Sequence, residues 1–257
     1  MDFIVIVPAR LGSTRLPRKL LLDIDGAPMV VHVARQAIKS GASRVLVAAD
    51  SEEILEACAR HGVECILTST SHPTGTDRLA EAVAQLGLAP ETIVVNVQGD
   101  EPLLPPGVVR DVALLLHART DCEIATAAHP IADAGEFFSP DVVKVVIDQR
   151  DCAITFSRAP IPWSRDAFAR DAFAERRTTL PEDLPAWHHV GLYAYRAAFL
   201  LRFAKLTPPA IETHEKLEQL RAIAHGIGIV ILKLDRALPS GVDTLDDLQR
   251  VRALIRG

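Results

Sequence analysis

Phe3-Ile4-Val5-Ile6-Val7 runs directly into Pro8-Ala9-Arg10-Leu11-Gly12-Ser13-Thr14-Arg15-Leu16-Pro17-Arg18-Lys19. An apolar, β-branched run of this length reads as a strand buried on both faces, as in a parallel sheet. The loop it delivers carries Arg10, Arg15, Arg18 and Lys19. Working outward, further apolar runs lie at 44–49, 63–67, 92–98 and 123–128. Amphipathic segments at 28–39, 51–61, 76–86 and 106–117 separate them. In the first of these, Val30, Val33, Ala34 and Ala37 recur at helical spacing. Gly41, Gly62 and Gly87 stand where helices should stop. Strands alternating with helices predict right-handed βαβ units and an α/β fold with a mostly parallel, doubly wound sheet. Ligands of such sheets bind beyond the carboxyl ends of the strands, so the loops there hold the candidate site.

The rhythm breaks over 131–187. Val142–Ile147 and Ala153–Phe156 read as strands, but Pro160, Pro162 and the charged stretch Arg165–Asp183 follow. This predicts a smaller lobe at 131–187 inserted into a nucleotide-binding α/β domain formed by 1–130 and 188–257. Regular elements return at 197–204, 212–225, 228–235 and 245–256. No internal repeat is present.

A length of 257 residues fits one large α/β domain, or one with a small second lobe. Hydrophobic residues at 49% and charged residues at 24% exclude a disordered or low-complexity chain. The net charge of −5 argues against nucleic acid or an anionic membrane as partner. Any bound anion must therefore be held by a local group of cations. Cys58, Cys65, Cys122 and Cys152 form no CxxC pair, which excludes zinc-ribbon and thioredoxin-type readings. The chain shows no signal-peptide core and no apolar run approaching the ~20 residues of a membrane span. The expectation is a cytoplasmic protein with reduced cysteines.

The loop at Arg10–Lys19 suits a polyanion such as a nucleoside triphosphate, which needs cations and donors placed before reaction. Gly12 and Ser13 add backbone N–H groups and a hydroxyl. A solvated basic loop has the same composition. The loop is neither GxxxxGK[ST] nor GxGxxG, which disfavours P-loop and dinucleotide-binding folds. The run at 92–98 ends in Gln98-Gly99-Asp100-Glu101-Pro102. A carboxylate there can hold a hard cation against phosphate oxygens, or simply close a Gly-Asp turn. Together with the basic loop, metal-nucleotide binding is the better reading.

Seven segments, in order, resemble the 3-deoxy-manno-octulosonate (Kdo) cytidylyltransferases, the CMP-Kdo synthetases of bacterial lipopolysaccharide biosynthesis. They are the Pro8–Lys19 loop, Gly75-Thr76-Asp77-Arg78, Asn96–Pro102, Phe156–Trp163, His189-x-Gly191-x-Tyr193, Leu217–Arg221 and Gly241–Thr244. The resemblance implies a nucleotidyltransferase-type sheet, CTP and Kdo as substrates, Mg²⁺ as cofactor and a homodimer with 131–187 at its contact. It implies that Arg10, Ser13, Arg15 and Lys19 grip the triphosphate, and that Gly75, Arg78 and Gln98 lie near cytosine and ribose. Asp100 and Asp243 would hold the metal, with Lys19 as the third catalytic group. Arg158, Arg165, His189, Tyr193, Glu218 and Gln219 would contact the acid sugar. Where the family usually has Gly-Lys-Pro, this chain has Arg18-Lys19-Leu20. Arg18 would either crowd the phosphate loop or add a phosphate contact.

Plainer readings stand beside these. Asp243-Thr244 would also start the last helix, with Thr244 as cap, and one of His188 and His189 would be a packed core histidine. His214-Glu215-Lys216-Leu217-Glu218 lacks the second histidine of HExxH. Asp235, at a predicted strand end, competes with Asp243 for the metal. Alternatives to Kdo transfer are a cytidylyltransferase for another acid sugar (8-amino-Kdo or sialic acid), a metal-dependent glycosyltransferase, and a nucleotide-binding regulatory protein.

Overall fold

The computed structural model describes residues 1–13, 16–168 and 179–256. Arg15, assigned above to the triphosphate, and the 169–178 part of the charged stretch lie outside the described residues. In chain order the elements are β1 (Phe3–Ala9), β2 (Asp23–Ile24), β3 (Ala27–Pro28), α1 (Met29–Ile38), β4 (Arg44–Ala49), α2 (Glu52–Arg60), β5 (Cys65–Leu67), α3 (Gly75–Leu86), β6 (Ile93–Asn96) and α4 (Pro106–Ala118). Then come β7 (Ile124–Pro130), α5 (Ala134–Phe138), β8 (Lys144–Ile147), β9 (Ala153–Ser157), α6 (Arg165–Phe168), β10 (Trp187–Arg196), α7 (Ala197–Phe203), α8 (Ala210–Glu215), α9 (Gln219–Ala224), β11 (Ile229–Lys233) and α10 (Leu245–Arg256). No helix among the described residues is long and apolar enough to cross a membrane.

The elements form two compact units. The first comprises Met1–Ala118, Leu192–Lys205 and Leu238–Gly257; the second comprises Arg119–Gly191 and Leu206–Ala237. Residues 119–130, 188–191 and 206–237 thus lie with the segment read as an inserted lobe. The physical reason is pairing: β11 runs parallel to β7, from Ile229 opposite Ile124 to Lys233 opposite Ala128. Spacing along the chain does not report which strands pair.

In the first unit, β1 is central. It pairs in parallel with β4 on one side and β6 on the other, and β4 pairs with β5. The chain winds outward from β1 to β5, then returns to β6 on the opposite side of β1. The reversal between β1 and β6 is the switch point at which such sheets bind ligands. Ser51 caps α2 and Thr74 caps α3, each accepting a backbone N–H three residues on. α3 ends at Gly87, in the left-handed region at φ 59°. The hairpin β2–β3, unread in the sequence, turns at Asp25-Gly26 with φ of 49° and 83°, the two positive values of a tight hairpin.

The ten-residue β10 is a strand the sequence reading missed. Its Trp, His and Tyr residues obscure the apolar alternation. Its last residues run antiparallel to β6, with Tyr193 opposite Asn96. In the second unit, its first residues and β9 run antiparallel to β8. Ile131, Phe137, Phe168 and Ala186 form a small core there. The predicted helix over 212–225 is two helices, broken at Lys216 with φ 56°. A buried bidentate pair explains the break: Arg221 Nε and Nη2 donate to Glu212 at 2.8 and 2.5 Å. On one continuous helix, residues nine apart would face opposite sides, separated by about 13.5 Å along the axis.

Candidate active site

Two close backbone approaches in the first unit assemble the site. The first is at Gly99, on the loop after β6. A Cβ there would lie 3.1 Å from the Pro8 carbonyl oxygen and 3.1 and 3.2 Å from the Leu20 methyls. Glycine lets this loop close against Pro8 at the end of β1 and against Leu20 without displacing either. The second is at Gly241, where a Cβ would meet the Asp100 carbonyl oxygen at 3.1 Å. Beside it, Val242 N–H donates to that same oxygen at 2.9 Å. Leu16 and Leu20, both buried, anchor the β1 loop, and Lys19 N–H donates to Leu16 O at 3.1 Å.

The result is one cation between two carboxylates drawn from distant parts of the chain. Lys19 Nζ lies 2.6 Å from Asp100 Oδ2 and 2.9 Å from Asp243 Oδ1. Burial lowers the Lys19 pKa, but the bonds and attraction to Asp100 and Asp243 outweigh it and hold the value above that of an ordinary lysine. Lys19 therefore stays an ammonium throughout the physiological range. Glu101, next in the chain, is pushed up to about 7 by burial and by the Asp100 charge. Thr244 is the cap: its Oγ1 accepts from Asp247 N at 3.2 Å, leaving the Asp243 carboxylate directed to Lys19. Asp235 is exposed past the end of β11, in the second unit. Converging carboxylates already holding a cation are hard oxygen donors, a set that fits Mg²⁺.

Around this centre, Ser13 is half-buried and its Oγ accepts Leu16 N–H at 3.4 Å, while Arg10 is exposed. Arg18 takes the left-handed conformation at φ 55° that favours glycine, and its guanidinium pairs with Glu53. Gly75 opens α3 beside Pro8. Arg78 is buried and acts as a brace: Nη1 donates to Thr68 Oγ1 at 2.5 Å and to Ser69 O at 3.1 Å, with Asp50 at 3.7 Å. Asp50, missed in the sequence, also accepts Leu11 N–H at 2.8 Å and so ties the end of β4 to the loop after β1. Its signal was an aspartate after an apolar strand, the same pattern as Asp100. Gln98 is half-buried, and its carbonyl accepts Glu101 N–H at 3.2 Å. Asn96 Oδ1 is buried without a hydrogen-bond partner, an acceptor a donor group would satisfy.

The residues assigned to the sugar are more dispersed. Arg158 is held by Glu215: its N–H donates to Oε2 at 2.9 Å and its Nε to the Glu215 carbonyl at 2.8 Å. Ser157 Oγ donates to the other Glu215 oxygen at 2.6 Å. The glutamate of the failed HExxH match is thus the anchor of this segment. Arg165 is 88% exposed and, among the described residues, pairs with its neighbour Asp166. His189 is the packed histidine of its pair. Thr126 Oγ1 donates to Val190 O at 3.0 Å, so the 3.0 Å contact with His189 Nε2 places the proton on that nitrogen. Burial, then the neighbouring His188, push the His189 pKa down to about 3, so the ring is neutral. Tyr193 stacks on Tyr195 at 5.6 Å. Glu218 is half-buried just before α9, and Gln219 is buried as its first residue.

A cytidylyltransferase family model matches residues 4–230. Over its whole length the chain is similar to a CMP:2-keto-3-deoxy-manno-octonic acid synthetase whose structure contains CTP. The two are 37% identical, with 100% of this chain and 99% of that chain covered and a TM-score of 0.87. Two remoter structures share the fold. A cytidylyltransferase from Leptospira borgpetersenii serovar Hardjo-bovis is 14% identical, with 100% and 87% covered and a TM-score of 0.60. A 4-diphosphocytidyl-2C-methyl-D-erythritol synthase is 13% identical, with 99% and 98% covered and a TM-score of 0.63.

Proposed function

The chain belongs to the cytidylyltransferase family, and from that premise we propose that it transfers CMP from CTP to the anomeric hydroxyl of Kdo, giving CMP-Kdo and pyrophosphate, in the cytoplasm and for lipopolysaccharide biosynthesis. The observation that carries the reading is the meeting of Lys19, Asp100 and Asp243 at the switch point of the sheet. The acid sugar is supported by the 37% identity to a synthetase named for that substrate.

In the reaction, the sugar hydroxyl oxygen forms a bond to the α-phosphorus and loses its proton, while the bond from that phosphorus to pyrophosphate breaks. No protein nucleophile is required. Lys19, a permanent cation, moves from the carboxylates to phosphate oxygens when nucleotide enters, offsetting charge that grows on the leaving pyrophosphate. Arg10, Ser13 and Arg15 complete the grip on the triphosphate, with the N–H groups at the start of α3 available to an anion. Gly75, Arg78 and Gln98 are assigned to the nucleoside end. Asp100 and Asp243 would hold Mg²⁺, which when bound would neutralise triphosphate charge. For the acid sugar the reading assigns Arg158, Arg165, His189, Tyr193, Glu218 and Gln219. A neutral His189 leaves the charge opposite the sugar carboxylate to arginine, whose fork matches both oxygens. The reading includes a homodimer with a contact in 131–187, supported by the exposed Trp163 and Ile154.

Asp100→Asn tests the site. It keeps the side-chain volume and removes the charge. The expected outcome is an intact fold by circular dichroism with pyrophosphate release from CTP and Kdo reduced ~10²–10³-fold. Near-wild-type turnover at saturating Mg²⁺ would contradict the assignment.

A further inference from the structure

A second group of ligating side chains lies in the second unit, and the reaction above does not use it. His129 is on β7, Glu136 on α5 and His188 on β10. One ring nitrogen of each histidine and one carboxylate oxygen all lie within 4.8 Å of one another. We propose that His129, Glu136 and His188 bind a zinc ion.

Three observations carry this. First, His188 Nδ1 and Glu136 Oε1 are 2.5 Å apart, bridged by a single proton. A metal ion can take the place of that proton, since metal binding at histidine releases protons. Second, His129 Nδ1 lies 3.1 Å from the Pro130 carbonyl. A carbonyl only accepts, so Nδ1 carries the hydrogen and Nε2 holds the lone pair. Such an outer hydrogen bond is how ligating histidines are oriented. Third, the group is set on regular elements. The Asp133 side chain caps α5 by accepting Glu136 N–H at 2.9 Å, and the two imidazole centroids are 4.7 Å apart. His129 is 6% exposed, whereas the His188 and Glu136 side chains are 30% and 29% exposed, which leaves an ion a way in.

Donor chemistry points to a borderline transition-metal ion, of which zinc is the redox-inert member. Two imidazoles and one carboxylate, with a fourth position left to water, suit Zn²⁺ and not Mg²⁺. Lys144, whose charge is felt at His188, donates to the carbonyls of Ser139, Val142 and Arg158, so it does not compete for these ligand atoms. The other group of this kind among the described residues, Asp121 with Cys122 and Cys152, already holds a cation. Arg119 donates to both Asp121 oxygens at 2.8 Å and to Cys152 Sγ at 3.2 Å. An ion at His129, Glu136 and His188 would clamp β7, α5 and β10 together, one residue before His189.

Untagged protein stripped with a chelator would be titrated with Co²⁺ as a spectroscopic stand-in, then with Zn²⁺. The proposal expects one equivalent of Co²⁺ to give a visible d–d band of a low-symmetry nitrogen and oxygen site, bleached by Zn²⁺. His188→Gln and Glu136→Gln, with folds checked by circular dichroism, should each weaken Co²⁺ binding by at least the ~10–100-fold seen on losing an outer-shell partner. His225→Gln, on an exposed helix end, should leave the titration unchanged. Absence of a band at millimolar Co²⁺, a band unchanged in both ligand variants, or a thiolate-to-cobalt band removed by Cys152→Ser would each overturn the proposal.

Discussion

Gly99→Ala is a one-methyl test of how the site is assembled. The added Cβ would lie 3.1 Å from the Pro8 carbonyl oxygen and 3.1 and 3.2 Å from the Leu20 methyls. Contacts this short are tighter than ordinary van der Waals separations, so the loop after β6 must move from Pro8 and Leu20 by a few tenths of an ångström. Pro8 O belongs to backbone in the central strand and Leu20 is buried, so neither gives way cheaply. Overpacking of this kind costs ~1–3 kcal/mol. The same shift separates Asp100 from Lys19, and a ~1 Å misplacement of catalytic groups can cost ~10²-fold. A few tenths of an ångström should still lower turnover several-fold. Urea denaturation measures the first effect and pyrophosphate release the second. Gly107→Ala is the control: nothing lies within 4 Å of its Cβ position in α4, and alanine there should stabilise by ~0.5–1 kcal/mol. Wild-type stability and turnover in Gly99→Ala would refute the claim that this contact sets the site.

Two further predictions concern neighbours of Lys19. The Glu101 carboxyl has its folded pKa raised from 4.5 to about 7, so the native state binds more protons across that window and wild-type stability falls as pH rises through it. Glu101→Gln should therefore be more stable than wild type at pH 8, by at most about 3 kcal/mol, with the difference gone near pH 4.5; a pH-independent difference would contradict the raised value. Arg18→Gly removes a non-glycine residue from the left-handed region, worth ~1–2 kcal/mol, against an opposing glycine entropy cost of ~0.5–1 kcal/mol. Stability should stay within about 1 kcal/mol of wild type with turnover unchanged, whereas a tenfold loss of turnover would mean Arg18 touches phosphate.

The first half of the fold was legible because buried parallel strands and amphipathic helices carry strong periodic signals. The runs at 44–49 and 106–117 became β4 and α4 almost to the residue. What failed was set by tertiary pairing. β10 is too polar and aromatic to read as a strand alone. The break at Lys216 exists because Glu212 and Arg221 bury their charges together. The lobe boundary depends on β11 finding β7. In the site, Lys19 and Asp100 stand in loops after apolar runs, Asp243 was named only through the family resemblance, and the structure brings all three together. Asp50 carried the same signal as Asp100 and was passed over, whereas Glu101 and Glu215 were not singled out because their environments come from residues far away in the chain. Arg18 shows the reverse: its left-handed backbone follows the glycine usual at that position, while its side chain turns to Glu53.

The central claim is a transfer of CMP to an acid sugar. ³¹P nuclear magnetic resonance of the protein with CTP, Mg²⁺ and Kdo tests it in one spectrum. The account predicts that the three triphosphate resonances decay into a pyrophosphate signal and one new phosphodiester signal in a two-to-one intensity ratio, since pyrophosphate holds two equivalent phosphorus atoms, with UTP and ATP inert. CTP left intact, or CTP converted to orthophosphate with no phosphodiester, would contradict it.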